Sequence, residues 1–194
     1  SIFQVEVLAS PDANFSIDSA LCFNNHQLEI ADQSSNFIGQ QRNWDLGDGT
    51  ASSDSLVQHS YASSGSYQVR LIQTLATTCA DTMIKSLRIY DNPVADFEQN
   101  DSIFCLNENE LELADMSTSV DGYTRTWSLG DGSSSSDSSL NNVYTSSGNY
   151  QIRLITNSVQ GCADTSTSSV EILPSPSANF TAQNVKETTF DFTP

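Results

Sequence analysis

"NWDLGDGT" (43–50) places a tryptophan and two Asp-Gly steps within eight residues, and "TWSLGDGS" (126–133) repeats the arrangement. Such a stretch is a catalytic carboxylate pair, a metal site or a backbone turn, and the choice decides whether the chain does chemistry. The copies differ at one informative place. Asp45 becomes Ser128, whereas Asp48 and Asp131 both remain. An acid/base pair would have lost half of itself in the second copy. A turn needs only the retained aspartate, flanked by glycines that accept positive φ, with its carboxylate taking backbone N–H groups. The expected turn residues are therefore Gly47, Asp48 and Gly49, with Gly130, Asp131 and Gly132. No His or Lys recurs beside them as a base would, so the chain is expected not to be an enzyme and to have no catalytic residue.

The repetition extends beyond the turn. Cys22 and Cys105 are 83 positions apart, as are Trp44 and Trp127, Tyr61 and Tyr144, Gly65 and Gly148, and Cys79 and Cys162. The edges repeat as well: "VEVLASPDANF" (5–15), "LRIYDNPVADF" (87–97) and "VEILPSPSANF" (170–180) are three forms of one junction. These markers divide the chain into the last strand of a preceding unit (1–10), two full units (11–92 and 93–175) and the first strand of a following unit (176–194).

Within a unit, apolar residues alternate. Tyr67, Val69 and Leu71 face one way and Gln68 and Arg70 the other, as do Tyr150, Ile152 and Leu154 in the second unit. Period two predicts strands with one buried face. In the first unit they are expected at 13–17, 27–32, 41–46, 57–61, 67–74 and 85–90, with a short edge strand at 51–55. The fold expected is all-β, with tandem immunoglobulin-like antiparallel sandwiches. Trp44, Tyr61, Tyr67, Trp127, Tyr144 and Tyr150 are expected in the cores.

Composition narrows the function. The 194 residues carry 7 basic and 24 acidic side chains, a formal charge of −17. Phosphates would repel such a surface, which argues against nucleic-acid partners. No apolar run approaches the length of a membrane span.

Four cysteines allow three pairings. The repeat favours one bridge inside each unit, Cys22 with Cys79 and Cys105 with Cys162, since a folded unit is complete before its neighbour docks. Each would close a long loop and contribute on the order of 4 kcal/mol. Bridges imply an oxidising compartment, hence an extracellular or cell-surface location. Buried free thiols and a zinc site are the alternatives. Zinc would draw on His26 and His59, which have no counterparts at Asn109 and Asn142.

"WDLGDGTASSDSLVQHSYASSGSYQVRLIQT" (44–74) and "WSLGDGSSSSDSSLNNVYTSSGNYQIRLIT" (127–156) resemble the core signature of the PKD (polycystic kidney disease repeat) domain. That pattern runs Trp-Asp-Phe-Gly-Asp-Gly, a Ser/Thr stretch, then Tyr-x-x-x-Gly-x-Tyr-x-Val-x-Leu. Leu46 and Leu129 replace its Phe, and Ser128 replaces its first Asp. With "TTCADT" (77–82) and "QGCADT" (160–165), the units resemble PKD repeats of large exported proteins of Bacteroidetes-type bacteria.

The resemblance implies a structural spacer or stalk in a long extracellular repeat protein, a surface adhesin or filament, with gliding motility as one context. Its partners would be neighbouring repeats of the same chain, with surface glycans or other surface proteins beyond them. The alternative is a carbohydrate- or protein-binding accessory module of a secreted enzyme, for which Phe37 and Tyr123 are the candidate exposed aromatics. No cofactor is expected except calcium, which some PKD domains hold ahead of the Trp strand; Asp115 and Asp121 are the candidate ligands. The Asp-Ser/Thr-apolar triplets at Ser19, Ser55, Thr82 and Ser102 resemble bacterial O-glycosylation acceptors.

Overall fold

In a computed structural model, the described residues are 10–24, 27–35, 39–75 and 79–180. They form fifteen strands and a single 3-10 turn at Leu106–Glu108. The expected flanking strands, at 1–10 and 176–194, fall mostly outside the described residues, as do His26 and Phe37.

The first unit contains β1 (Ala20–Cys22), β2 (Leu28–Ala31), β3 (Gln40–Asp45), β4 (Ala51–Ser52), β5 (Leu56–His59), β6 (Gly65–Leu75) and β7 (Cys79–Tyr90). One sheet runs β1-β7-β6-β3-β4 and the other pairs β2 with β5. Alternation places Leu28, Ile30 and Val57 of the small sheet against Trp44, Val69, Leu71, Leu87 and Ile89 of the large one. The apolar phase of each strand thus selects the face it buries. Burying a Leu or Ile side chain contributes about 1.5–3 kcal/mol, so this layer carries the unit.

The second unit repeats the plan with β8 (Phe97–Gln99), β9 (Ile103–Cys105), β10 (Leu111–Asp115), β11 (Tyr123–Ser128), β12 (Ser134–Ser135), β13 (Ser139–Asn142), β14 (Gly148–Ser158) and β15 (Ala163–Leu173). Its sheets are β12-β11-β14-β15-β9 and β13-β10-β8. Leu111, Leu113, Trp127, Ile152, Leu154, Val170 and Ile172 form its core.

Four details depart from the sequence reading. Each unit holds one parallel pair, β1 with β7 and β9 with β15. The expected strand at 13–17 shrinks to a bridge between Phe15 and Asp32, and β7 begins at Cys79, six residues earlier than expected.

The fourth departure concerns the bridges. Cys22 is bonded to Cys162, across the units, with Cα atoms 5.4 Å apart. The expected bridges of Cys22 to Cys79 and Cys105 to Cys162 are corrected, and Cys105 is an exposed free thiol. Strand length is the reason. Cys22 lies opposite Tyr90 at the end of β7, whereas Cys79 begins that strand opposite Leu75. Eleven strand steps separate the two ends, about 36 Å. A disulfide requires Cα atoms within about 7 Å.

Candidate functional site

The Gly-Asp-Gly segment joins β3 to β4. Leu46 N–H donates to the Thr50 carbonyl at 3.0 Å and closes the turn. Asp48 Oδ1 accepts the Thr50 N–H at 2.9 Å, and Asp131 Oδ1 accepts the Ser133 N–H at 2.8 Å. Both aspartates are exposed.

The glycines are not equivalent. At Gly47 (φ 84°) a Cβ would sit 2.7 Å from the Gln68 carbonyl oxygen, while at Gly49 (φ 93°) it would meet open space. Gly130 and Gly132 divide in the same way, with Gly130 against the backbone of Gln151. The first glycine of each turn therefore lets the chain cross β6 or β14 closely, and the second supplies only positive φ.

The remaining oxygen of each aspartate reaches the neighbouring sheet. Asp48 Oδ2 lies 2.7 Å from His59 Nε2, and Asn142 Nδ2 donates to Asp131 Oδ2 at 3.3 Å. Burial pushes the Asp48 pKa up, but hydrogen bonds from Thr50 and His59 outweigh it, and the carboxyl sits below its ordinary value. Asp131 is lowered too, burial being outweighed by Ser133 and Asn142. The partner is thus the imidazole of His59 in one unit and the amide of Asn142 in the other, as a tie between sheets tolerates and a shared base would not.

One stacked tyrosine pair locks the corner beneath each turn. Tyr61 is buried and donates its hydroxyl to the Leu46 carbonyl at 2.8 Å. Tyr144 does so to Leu129 at 2.8 Å. Tyr67 and Tyr150 stack on them, with ring centroids 3.9 and 4.0 Å apart. Trp44 and Trp127 are fully buried, donating to the Asp54 and Asp137 carbonyls at 3.0 and 2.9 Å. Desolvation raises the Tyr144 pKa to about 12.

The loop ahead of the Trp strand does not fit calcium. Asp115 forms an ion pair with Arg125 at 2.7 Å, accepts the Tyr123 hydroxyl at 2.9 Å and accepts the Ser117 N–H at 2.9 Å. A cation there would have to displace the guanidinium. Asp121 is exposed in the following turn, and among the described residues no three His, Cys, Asp or Glu groups converge. The first unit has the same device, Asp32 paired with Arg42 at 2.9 Å. Burial raises both carboxyls, but hydrogen bonds, foremost from Ser34 and Ser117, leave them lowered. Sequence reading missed these pairs, although Asp32 with Arg42 and Asp115 with Arg125 stand at the 83-residue offset.

Tyr123 also gives its hydroxyl to the Ser117 carbonyl at 2.9 Å, so it is half-buried and tied inward. The acceptor candidates Ser19, Ser55, Thr82 and Ser102 are all exposed.

The junction between the units is the remaining distinctive place. Tyr90 ends β7, and Asp91, Asn92 and Pro93 lead into the second unit. Asn92 Oδ1 accepts the Asn24 N–H of the first unit at 2.8 Å. Its Nδ2 donates to the Ala163 carbonyl of the second at 3.0 Å. Beside it the bond from Cys22 reaches Cys162, in the turn between β14 and β15, where Gly161 takes φ 85° and the Cys162 N–H donates to Ser158 Oγ at 3.1 Å. Pro93 is buried. One covalent bond and one bridging amide therefore tie the pole of one sandwich to the pole of the next.

The family model of the PKD domain matches residues 9–89 and 90–172. Among solved structures, the PKD1 domain of Vibrio anguillarum Epp is 26% identical, covering 42% of this chain and 93% of that one, with a TM-score of 0.36. The PKD1 domain of the Vibrio cholerae metalloprotease PrtV is 24% identical over 42% of this chain and 96% of that one, with a TM-score of 0.37. Bacteroides ovatus SGBP-B, in complex with a mixed-linkage heptasaccharide, is 15% identical over 86% of this chain and 48% of that one, with a TM-score of 0.37. No curated protein matches the sequence.

Proposed function

The chain belongs to the PKD domain family, and from that premise we propose that it is a spacer: a segment of an exported, extracellular repeat protein that holds a distal adhesive or enzymatic part away from a surface. The observation that carries this reading is the junction, where the bridge from Cys22 to Cys162 stands beside the two-sided amide of Asn92. A bead-on-string array has no need of either. A rod needs both, because a linker of a few residues otherwise leaves rotation about its backbone dihedrals. A disulfide persists outside the reducing cytosol, which supports export. Exposed hydroxyls at Ser19, Ser55, Thr82 and Ser102 suit surface glycosylation. Partners are the neighbouring repeats, with glycans or surface proteins engaged by parts beyond this segment.

Small-angle scattering of the oxidised and reduced chain tests the reading. A spacer keeps a narrow distribution of unit-to-unit distances when oxidised and broadens it on reduction. Equal, broad distributions in both states would remove the rod. Binding of the oxidised chain to a glycan array would shift the function toward the accessory-module alternative.

A further inference from the structure

Each unit carries one cysteine at each pole, and the observed bond uses only the two poles that meet. Cys22 lies beside Tyr90, where β7 leaves the first unit, and Cys162 lies in the turn that opens β15 at the near pole of the second. Cys105 stands where Cys22 stands. It pairs in register with Leu173, at the end of β15. That end is about 36 Å from Cys162, so no bond inside the unit is open to Cys105, and its exposed thiol faces away from the existing junction.

A second feature of this pole points the same way. Ser175 stands where Asn92 stands, 83 positions on, and Asn92 spends both ends of its amide across the junction. The Ser175 hydroxyl oxygen is buried and has no hydrogen-bond partner.

We propose that Cys105 is a half-junction: it forms a disulfide with the cysteine in the β14–β15-type turn of a following PKD unit, continuing the bond seen between Cys22 and Cys162. The occupant of this pole is therefore another unit of the same kind, an identification that rests on the array reading above. The junction after the second unit is then closed by a bond of the same polarity as the junction before it. Cutting one peptide linker then leaves neighbouring units attached.

The oxidation is an ordinary exchange. The Cys105 thiolate attacks a small-molecule disulfide and releases one thiol. The thiolate of the incoming unit then attacks the Cys105 sulfur and releases the second. Two cysteine thiols become one disulfide, and the small-molecule disulfide takes up the two electrons and two protons as two thiols.

The test extends the chain at Ser175 with a second copy of residues 93–194, which restores the observed order of residue 92 and Pro93. Both chains are refolded with glutathione disulfide, alkylated without reductant and mapped by mass spectrometry. In the unextended chain Cys105 is alkylated. In the extended chain the inner Cys105 becomes protected and maps to the Cys162 of the appended unit, while the appended Cys105 remains alkylated. Replacing the inner residue, Cys105→Ser, exposes the appended Cys162 to alkylation and leaves the bond of Cys22 to the first Cys162 as the control for folding. An inner Cys105 alkylated as fully as in the unextended chain, or bonded elsewhere, overturns the proposal. A bridge that forms in an extended chain with equally broad scattering when oxidised and reduced leaves the proposal standing and removes the spacer reading instead.

Discussion

Cys22 and Tyr90 are partners across β1 and β7, which places Cys22 at the opposite end of β7 from Cys79. Cys22 bonds to Cys162 of the other unit, and although Cys162 is itself buried, neither cysteine belongs to the apolar cluster of its unit. Reduction, or Cys22→Ser, is expected to shift the melting temperature of each sandwich little, because no core contact changes. It should broaden the distance between labels placed on the two units. Double electron resonance on labelled chains checks the second part and calorimetry the first. A large drop in melting temperature with no broadening would mean that the bond serves the interior of a unit.

The two glycines of the turn should respond differently to the same substitution. Gly49→Ala meets only the penalty of positive φ, about 1–2 kcal/mol. Gly47→Ala adds a Cβ at 2.7 Å from the Gln68 carbonyl oxygen and forces the turn off β6. Chemical denaturation should rank Gly47→Ala well below Gly49→Ala, with Gly130→Ala and Gly132→Ala in the same order.

Tyr61→Phe and Tyr144→Phe keep the stacked ring and delete one bond each, to the carbonyls of Leu46 and Leu129. Leaving a buried carbonyl without its donor costs about 1–3 kcal/mol. Equal losses in the two units are expected, since the corner is the same in both. An unchanged midpoint for either variant would show that the hydroxyl does not anchor the turn.

Acid should weaken both units. The folded-state pKa values of Asp32, Asp48, Asp115 and Asp131 are lowered from 3.8. A lowered carboxyl contributes stability that is fully present above its unfolded value and is lost as pH falls through its folded one. The melting temperature should therefore hold from neutral pH down to about 4 and fall below that. The double variant Asp32→Asn, Asp115→Asn should start lower and decline less steeply. At the alkaline end, the Tyr144 value near 12 means that stability falls as pH rises above about 10, the unfolded tyrosine losing its proton first.

Calcium should leave the melting temperature unchanged, because Arg125 already holds the Asp115 carboxylate. Arg125→Gln frees that oxygen, and isothermal titration of both forms with calcium would reveal any site hidden beneath the guanidinium.

Much of this was legible from residues alone. The turns at Asp48 and Asp131, the buried tryptophans and the corner tyrosines follow from local rules: glycine for positive φ, alternation for a buried face, one spacing repeated twice. Phe15 shows the limit. Its segment alternates like a strand, yet it makes one bridge, to Asp32, because pairing depends on which edge is free. The ion pairs of Asp32 and Asp115 went unread for a similar reason: their arginines lie ten residues on, across a loop whose path the pattern does not reveal.

By itself the sequence determined the two-unit repeat, the strand faces and the aspartate turns, since each is encoded within a few residues of chain. Only the tertiary structure decided which cysteines meet. A repeat shows that Cys22 and Cys79 share a unit, but not that a strand of about 36 Å holds them at opposite poles. That distance turned an expected internal staple into a bond between neighbours.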